Sequence, residues 1–133
     1  NSEFHSRVIF VGRINNNNLP DYYNSANVSI LPSRAEAFPI IPLESMACGT
    51  PVIMADRFSA REIVEDNVNG FLVNTLDKRE FSESIVKILR NQKRIECMRI
   101  EARRKIVTNF NIKETIVQNM SFYNSIISAN NNV

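Results

Sequence analysis

Short apolar runs alternate with polar breaks and with stretches of helical spacing along this chain. Val8-Ile9-Phe10-Val11, Val28 to Leu31, Val52-Ile53-Met54-Ala55 and Phe71-Leu72-Val73 are each bounded on at least one side by Gly, Pro, Asn or Asp. Runs this short and this apolar predict strands buried on both faces, as in a parallel sheet. Between and after them the period changes. Leu43, Met46 and Ala47 share one helical face, Phe81, Ile85, Ile88 and Leu89 a second, and Ile116, Met120, Tyr123 and Ile127 a third. Leu19-Pro20-Asp21 opens a short helix, Ala60 to Glu65 reads as one or two turns, and Asp77 with Glu80 makes a capping box ahead of the Phe81 face. Long helices follow over Gln92–Thr108 and Ile112–Ile127. This alternation predicts an α/β fold: a partial Rossmann-like parallel sheet flanked by helices. The chain reads as one domain over residues 1–133, with 111–133 a C-terminal helix whose last residues, Asn130 to Asn132, fray.

The stretch from Ser33 to Ile53 carries the chemistry. Pro42 fits the first helical position, Gly49 fits a left-handed residue just past the helix end, and Pro51 blocks continuation. This framing places Glu44 in the first helical turn and Glu36 in the loop ahead of it. A helix N-terminus suits a phosphate, and an ionised carboxylate can only accept hydrogen bonds, which suits sugar hydroxyls. A diphosphate on the helix end, with Glu44 and Glu36 on either side, describes a nucleotide-sugar site. By themselves the two Glu are better read as a helix cap and a solvated side chain, since such a pair occurs by chance in many chains. Gly12 turns the chain at the end of the first predicted strand, leaving Arg13 at a carboxyl edge, where open α/β sheets bind ligands. An Arg beside a surface turn is an equal reading there.

Composition narrows the classes. A formal net charge of +2 over 133 residues gives no footprint for nucleic acid. Hydrophobic residues at 44% and charged residues at 23% are ordinary for a soluble globular domain. Cys48 and Cys97 build no disulfide framework, which suits a reducing cytoplasm. His5 is the only histidine, and no cluster has zinc spacing. The chain lacks a P-loop lysine motif and Gly-x-Gly-x-x-Gly, so ATPase and dinucleotide readings are poor. No apolar run approaches a membrane span. Tyr22 and Tyr23 read as packing residues. Arg99, Arg103, Arg104 and Lys105, interspersed with Glu96 and Glu101, read as a solvated helix face. Asn1 to Phe4 is set aside from the fold as a scar of expression.

Pro-Ser-x-x-Glu-x-Phe-Pro, followed by Leu-Glu-Ser-Met-Ala-Cys-Gly-Thr-Pro-Val-Ile, resembles the donor-site signature of the family 4 (group 1) glycosyltransferases of GT-B fold. That signature has two Glu separated by seven residues, here Glu36 and Glu44. Val8 to Arg13, Tyr23 to Val28, Glu62 to Asp66 and Asn69 to Val73 resemble other family landmarks, in the family's order. The resemblance implies the later part of a C-terminal donor-binding domain, from a retaining enzyme that moves a sugar from a nucleotide-sugar to an acceptor. Glu36 would then be catalytic, touching the transferred sugar, and Glu44 would bind the donor ribose. Gly12, Arg13, Phe38, Pro39, Ile40 and Ile41 would complete the donor site, the last two through backbone N–H groups facing the diphosphate. Ala37 and Pro39 stand where the family often has Gly, so a positive φ in this loop becomes a question. The resemblance implies no cofactor and no metal. A saccharide or lipid-linked acceptor would be held on a missing N-terminal domain. The setting would be cytoplasmic, in cell-surface polysaccharide or glycolipid assembly, with peripheral membrane association left open. A related GT-B enzyme, such as a sugar-nucleotide epimerase or glycogen-type synthase, and a non-catalytic nucleotide-binding module remain alternatives.

Overall fold

Three parallel strands, β1 (Ser29–Leu31), β2 (Val52–Ala55) and β3 (Gly70–Val73), lie side by side in chain order. The computed structural model describes residues 7–33 and 35–130. Arg34 and the expectations for Asn1–Phe4 and for fraying at Asn131 and Asn132 lie outside the described residues. Six α-helices accompany the sheet among the described residues: α1 (Leu19–Ser25), α2 (Ile40–Ala47), α3 (Ala60–Ile63), α4 (Lys78–Leu89), α5 (Gln92–Asn109) and α6 (Ile112–Asn130). A single turn of 3-10 helix, Asn16–Asn18, leads into α1.

The alternation of side chains on β2 explains the layering. Val52 and Met54 face one way, onto Met46 and Leu43 of α2, Ala60 and Ile63 of α3, and Ala102 and Ile106 of α5. Ile53 faces the other way, with Phe71 and Val73 of β3, beneath Phe81, Ile85 and Ile88 of α4 and Ile95 and Met98 of α5. Helix α5 thus contributes to both faces. Met46, Ile53, Ile63, Ile88, Ile95 and Met98 are all essentially inaccessible, and each contributes about 1.5–3 kcal/mol of apolar transfer. Gly70 is required where β3 meets β2, because an added Cβ would lie 2.4 Å from the Val52 carbonyl oxygen.

Helix ends follow their local chemistry. Gly49 takes φ 74°, its N–H donates to the Met46 carbonyl at 2.9 Å, and Thr50 N–H donates to the Ser45 carbonyl at 2.9 Å. This is a Schellman termination of α2. At α4, Asp77 Oδ1 accepts from the N–H groups of Arg79 and Glu80 at 2.8 and 3.1 Å. Glu80 reaches back to the Asn74 N–H at 3.4 Å rather than to that of Asp77, so the box closes one turn of chain earlier than its sequence form.

Three expectations are corrected. Val8–Val11 forms no strand: the segment is exposed, with Ile9 at 83% and Phe10 at 91%. An apolar run signals burial, but a strand also needs a partner for its N–H and C=O groups, and β1 presents only a short edge. Helix α2 begins at Ile40, not Pro42. A helix leaves its first four N–H groups unpaired, so proline is as acceptable at the third position as at the first. Glu44 therefore lies in the second turn, outside the first. The basic face of α5 is also less solvated than expected: Arg99 donates to the carbonyls of Ala26 (3.0 Å) and Asn24 (3.2 Å), and Arg103 donates to that of Ala47. Both guanidinium groups cap the C-terminal carbonyls of other helices.

Candidate functional site

The carboxyl ends of β1 and β2 open into a small cleft, the usual ligand edge of such a sheet. The loop after β1 brings Ser33, Glu36 and Pro39, and the loop after β2 brings Arg57, Phe58 and Ser59. Ser59 ties the loops together by donating its hydroxyl to the Ala37 carbonyl at 2.7 Å. Ala37 keeps an ordinary backbone, since left-handed φ among the described residues occurs at Gly12, Gly49, Phe58 and Asn67. Phe58 is the unusual member of that set. It holds φ 50° with its ring 71% exposed at the cleft mouth. Glu36 is exposed, and among the described residues it has no hydrogen-bond partner. Arg57 supplies a cation from the neighbouring strand end in the same cleft, whereas Asp56 is taken up by Arg61 at 2.8 Å.

Glu44 belongs to a second cleft of about 220 Å³, between α1 and α2, lined by Asn16, Leu19, Pro20, Tyr23, Glu44 and Cys48. The Tyr23 hydroxyl donates to Glu44 Oε2 at 3.1 Å. Burial pushes the Tyr23 phenol up to about 12, and the Glu44 hydrogen bond, the Glu44 charge and Cys48 act in the same direction. Behind this pair runs a chain of polar contacts. Thr50 Oγ1 donates to the Tyr23 carbonyl at 2.7 Å, Ser45 Oγ donates to the Thr50 carbonyl at 2.9 Å, and the Ser45 and Ser29 hydroxyls lie 2.7 Å apart. Ser45 and Thr50 are fully buried. The network fixes α1, α2 and β1 to one another directly beneath Glu44.

The first turn of α2 lies on the stretch of chain between the two carboxylates. Pro39, its N-cap, provides no side-chain hydrogen bond, and Ile40 and Ile41 are 64% and 48% exposed. Their N–H groups are the open end of the helix. The other expected residues scatter. Arg13 lines a separate exposed opening with Ile14, Asn15 and Asn16, and only Asn16 connects it to the Glu44 cleft. Gly12 supplies the turn before it, at φ 73°. Phe38 packs its ring on Phe110, centroids 6.0 Å apart, so it serves the join between the loop and α5. Sequence reasoning gave no role to Arg57 or Phe58, although a loop at a strand's carboxyl end is a usable signal. It gave Tyr23 only packing, because the pairing with Glu44 depends on how α1 meets α2.

The family model described as glycosyl transferases group 1 matches residues 2–105. The chain belongs to the group 1 glycosyltransferases. This group 1 chain is 36% identical over 80 residues to the D-inositol 3-phosphate glycosyltransferase of Thermobispora bispora, covering 60% of this chain and 19% of that one. Sucrose-phosphate synthase from Thermosynechococcus elongatus superposes with a TM-score of 0.88 at 31% identity, over 93% of this chain and 31% of that structure. Anabaena Alr3699/HepE, solved in complex with UDP, superposes with a TM-score of 0.79 at 27% identity, over 88% of this chain and 33% of that structure. The group 1 chain therefore spans between 19% and 33% of these relatives.

Proposed function

We propose that this chain is the donor-binding part of a retaining glycosyltransferase that moves a sugar from a nucleotide-sugar to an acceptor. The observation that carries the reading is the placement of Glu36 and Glu44 on either side of the uncapped first turn of α2. In this reading the N–H groups of Ile40 and Ile41 receive the diphosphate, aided by the partial positive charge of the helix end. Glu44 accepts from the ribose hydroxyls. Glu36 faces the transferred sugar from the β1 loop, where a carboxylate favours positive charge developing at the anomeric carbon. Gly12 and Arg13 meet the nucleotide from the far side, while Phe38 and Pro39 shape the loop. The UDP complex of a related structure supports a nucleoside diphosphate as ligand.

No cofactor or metal is invoked, and the acceptor, a saccharide or a lipid-linked one, is held by a facing domain outside this chain. We place the reaction on the cytoplasmic side, in cell-surface polysaccharide or glycolipid assembly. Among the described residues no helix is long and apolar enough to cross a membrane. The test is a binding screen of the chain against UDP, GDP and ADP and their sugars, by thermal shift and by NMR. Resonances of Ile40, Ile41 and Glu44 should move with at least one diphosphate. Shifts confined to other surfaces, or none with any ligand, would remove the donor-site reading.

A further inference from the structure

Glu44 and Glu36 are supported differently, and the difference points to a residue outside the two-Glu signature. Glu44 Oε2 accepts from the Tyr23 hydroxyl at 3.1 Å, and among the described residues no protein donor reaches Oε1. Both side chains line the same cleft. We propose that Tyr23 is a positioning residue for Glu44, holding the carboxylate by one oxygen so that the other accepts from the hydroxyls of the donor's ribose. This rests on the donor-site reading above and adds to it the device that fixes its ribose acceptor.

The construction around Tyr23 suits such a role. A tyrosine reaches across a gap with only two side-chain torsions, so its hydroxyl is placed with little freedom to lose. Its backbone is anchored at the residue itself and just after it. Thr50 donates to the Tyr23 carbonyl, and Arg99 of α5 donates to the carbonyls of Asn24 and Ala26 immediately after it. The same Thr50 accepts from Ser45, the residue next to Glu44, so donor and acceptor helices are joined behind the pair. The phenol stays protonated far above neutral pH, as its raised value of about 12 requires. It is therefore always the donor, and the carboxylate is always the acceptor. A flexible Glu without this bond would sample other rotamers and present its free oxygen only part of the time.

The test compares the wild-type chain with Tyr23→Phe, Glu44→Ala and the double variant, by NMR titration with UDP and with 2′,3′-dideoxy-UDP. Tyr23→Phe keeps the ring and its packing and removes only the hydroxyl. It should weaken UDP roughly 10-fold, as expected for one hydrogen bond to a charged group. It should leave dideoxy-UDP binding unchanged and add nothing in the Glu44→Ala background. Independently of any ligand, the labelled Tyr23 ring should titrate above the ordinary tyrosine range in the wild type, where burial is the largest cause, and lower, though still raised by burial, in Glu44→Gln, where the Glu44 charge is gone. If Glu44→Ala weakens UDP while Tyr23→Phe does not, or if the two losses add, Tyr23 is not positioning Glu44 and the proposal falls alone. If Glu44→Ala leaves UDP unchanged, or UDP, GDP and ADP all fail to bind, the donor-site reading falls and takes the proposal with it.

Discussion

Glu44 grows from a rigid helix and has a protein partner, whereas Glu36 sits on an exposed loop with none among the described residues. Their expected kinetics differ accordingly in the longer enzyme that would carry this chain. Glu44 would bind a part of the donor that does not change during reaction, so its loss weakens ground state and transition state alike. Glu44→Ala should raise KM for the donor about 10- to 100-fold with little change in kcat, matching roughly 1.5–3 kcal/mol for hydrogen bonds to a charged group. Glu36→Gln should lower kcat more than it raises KM, because it removes charge needed as the anomeric centre becomes positive. Steady-state kinetics with donor varied decides, and the opposite pattern would exchange the two roles. Phe58 offers a separate prediction. A bulky residue at φ 50° is strained, and its ring has little packing to lose. Phe58→Asn should stabilise the fold by about 1 kcal/mol in urea unfolding, since asparagine tolerates the left-handed region.

At the scale of elements, Gly70 joins β3 to β2 and admits no side chain. Gly70→Ala would drive a methyl into the Val52 carbonyl, and it should cost about 3 kcal/mol through strand displacement. Urea midpoints would show it, and an unchanged midpoint would mean the strands separate more easily than their register implies. The strands around this contact were readable from sequence, because Val52–Ala55 is buried on both faces and its composition says so directly. Val8–Val11 has the same composition and forms no strand, since composition records a need for burial and not the presence of a neighbour. Gly49 and Asp77 marked helix ends correctly, each acting through contacts within a few residues. The start of α2 was misread for the converse reason: Pro42 is compatible with several positions of a first turn, and nothing local chooses among them. Tyr23 with Glu44, and Arg99 with the end of α1, join residues 21 and 73–75 positions apart. Only packing brings such pairs together, so no spacing rule could find them.

At the scale of the whole molecule, the surface along α6 and around the two clefts is open to water. Every described side chain from 112 to 129 on α6 is exposed, including Ile116, Met120, Tyr123 and Ile127, which form its apolar stripe. Removing residues 111–133 should therefore shift Tm by no more than about 2 °C, because little buried area is lost. A larger loss would show that α6 packs on the core in solution. The clefts bearing Glu36 and Glu44 are likewise open, with Glu36, Arg57, Phe58, Ile40 and Ile41 all exposed to water. Glycosyl transfer requires the acceptor hydroxyl to be held against the anomeric carbon, and it requires water to be kept from competing for that carbon. Nothing among the described residues faces these two clefts to do either. We therefore expect the 133-residue chain to bind nucleoside diphosphates weakly and to transfer no sugar. The measurement is product analysis after incubating the purified chain with UDP-, GDP- or ADP-sugars and a mixed set of saccharide and lipid-linked acceptors. Transfer above the no-protein control, abolished by Glu36→Gln, would show that this chain suffices for the chemistry and would overturn the proposed division of labour with a facing domain.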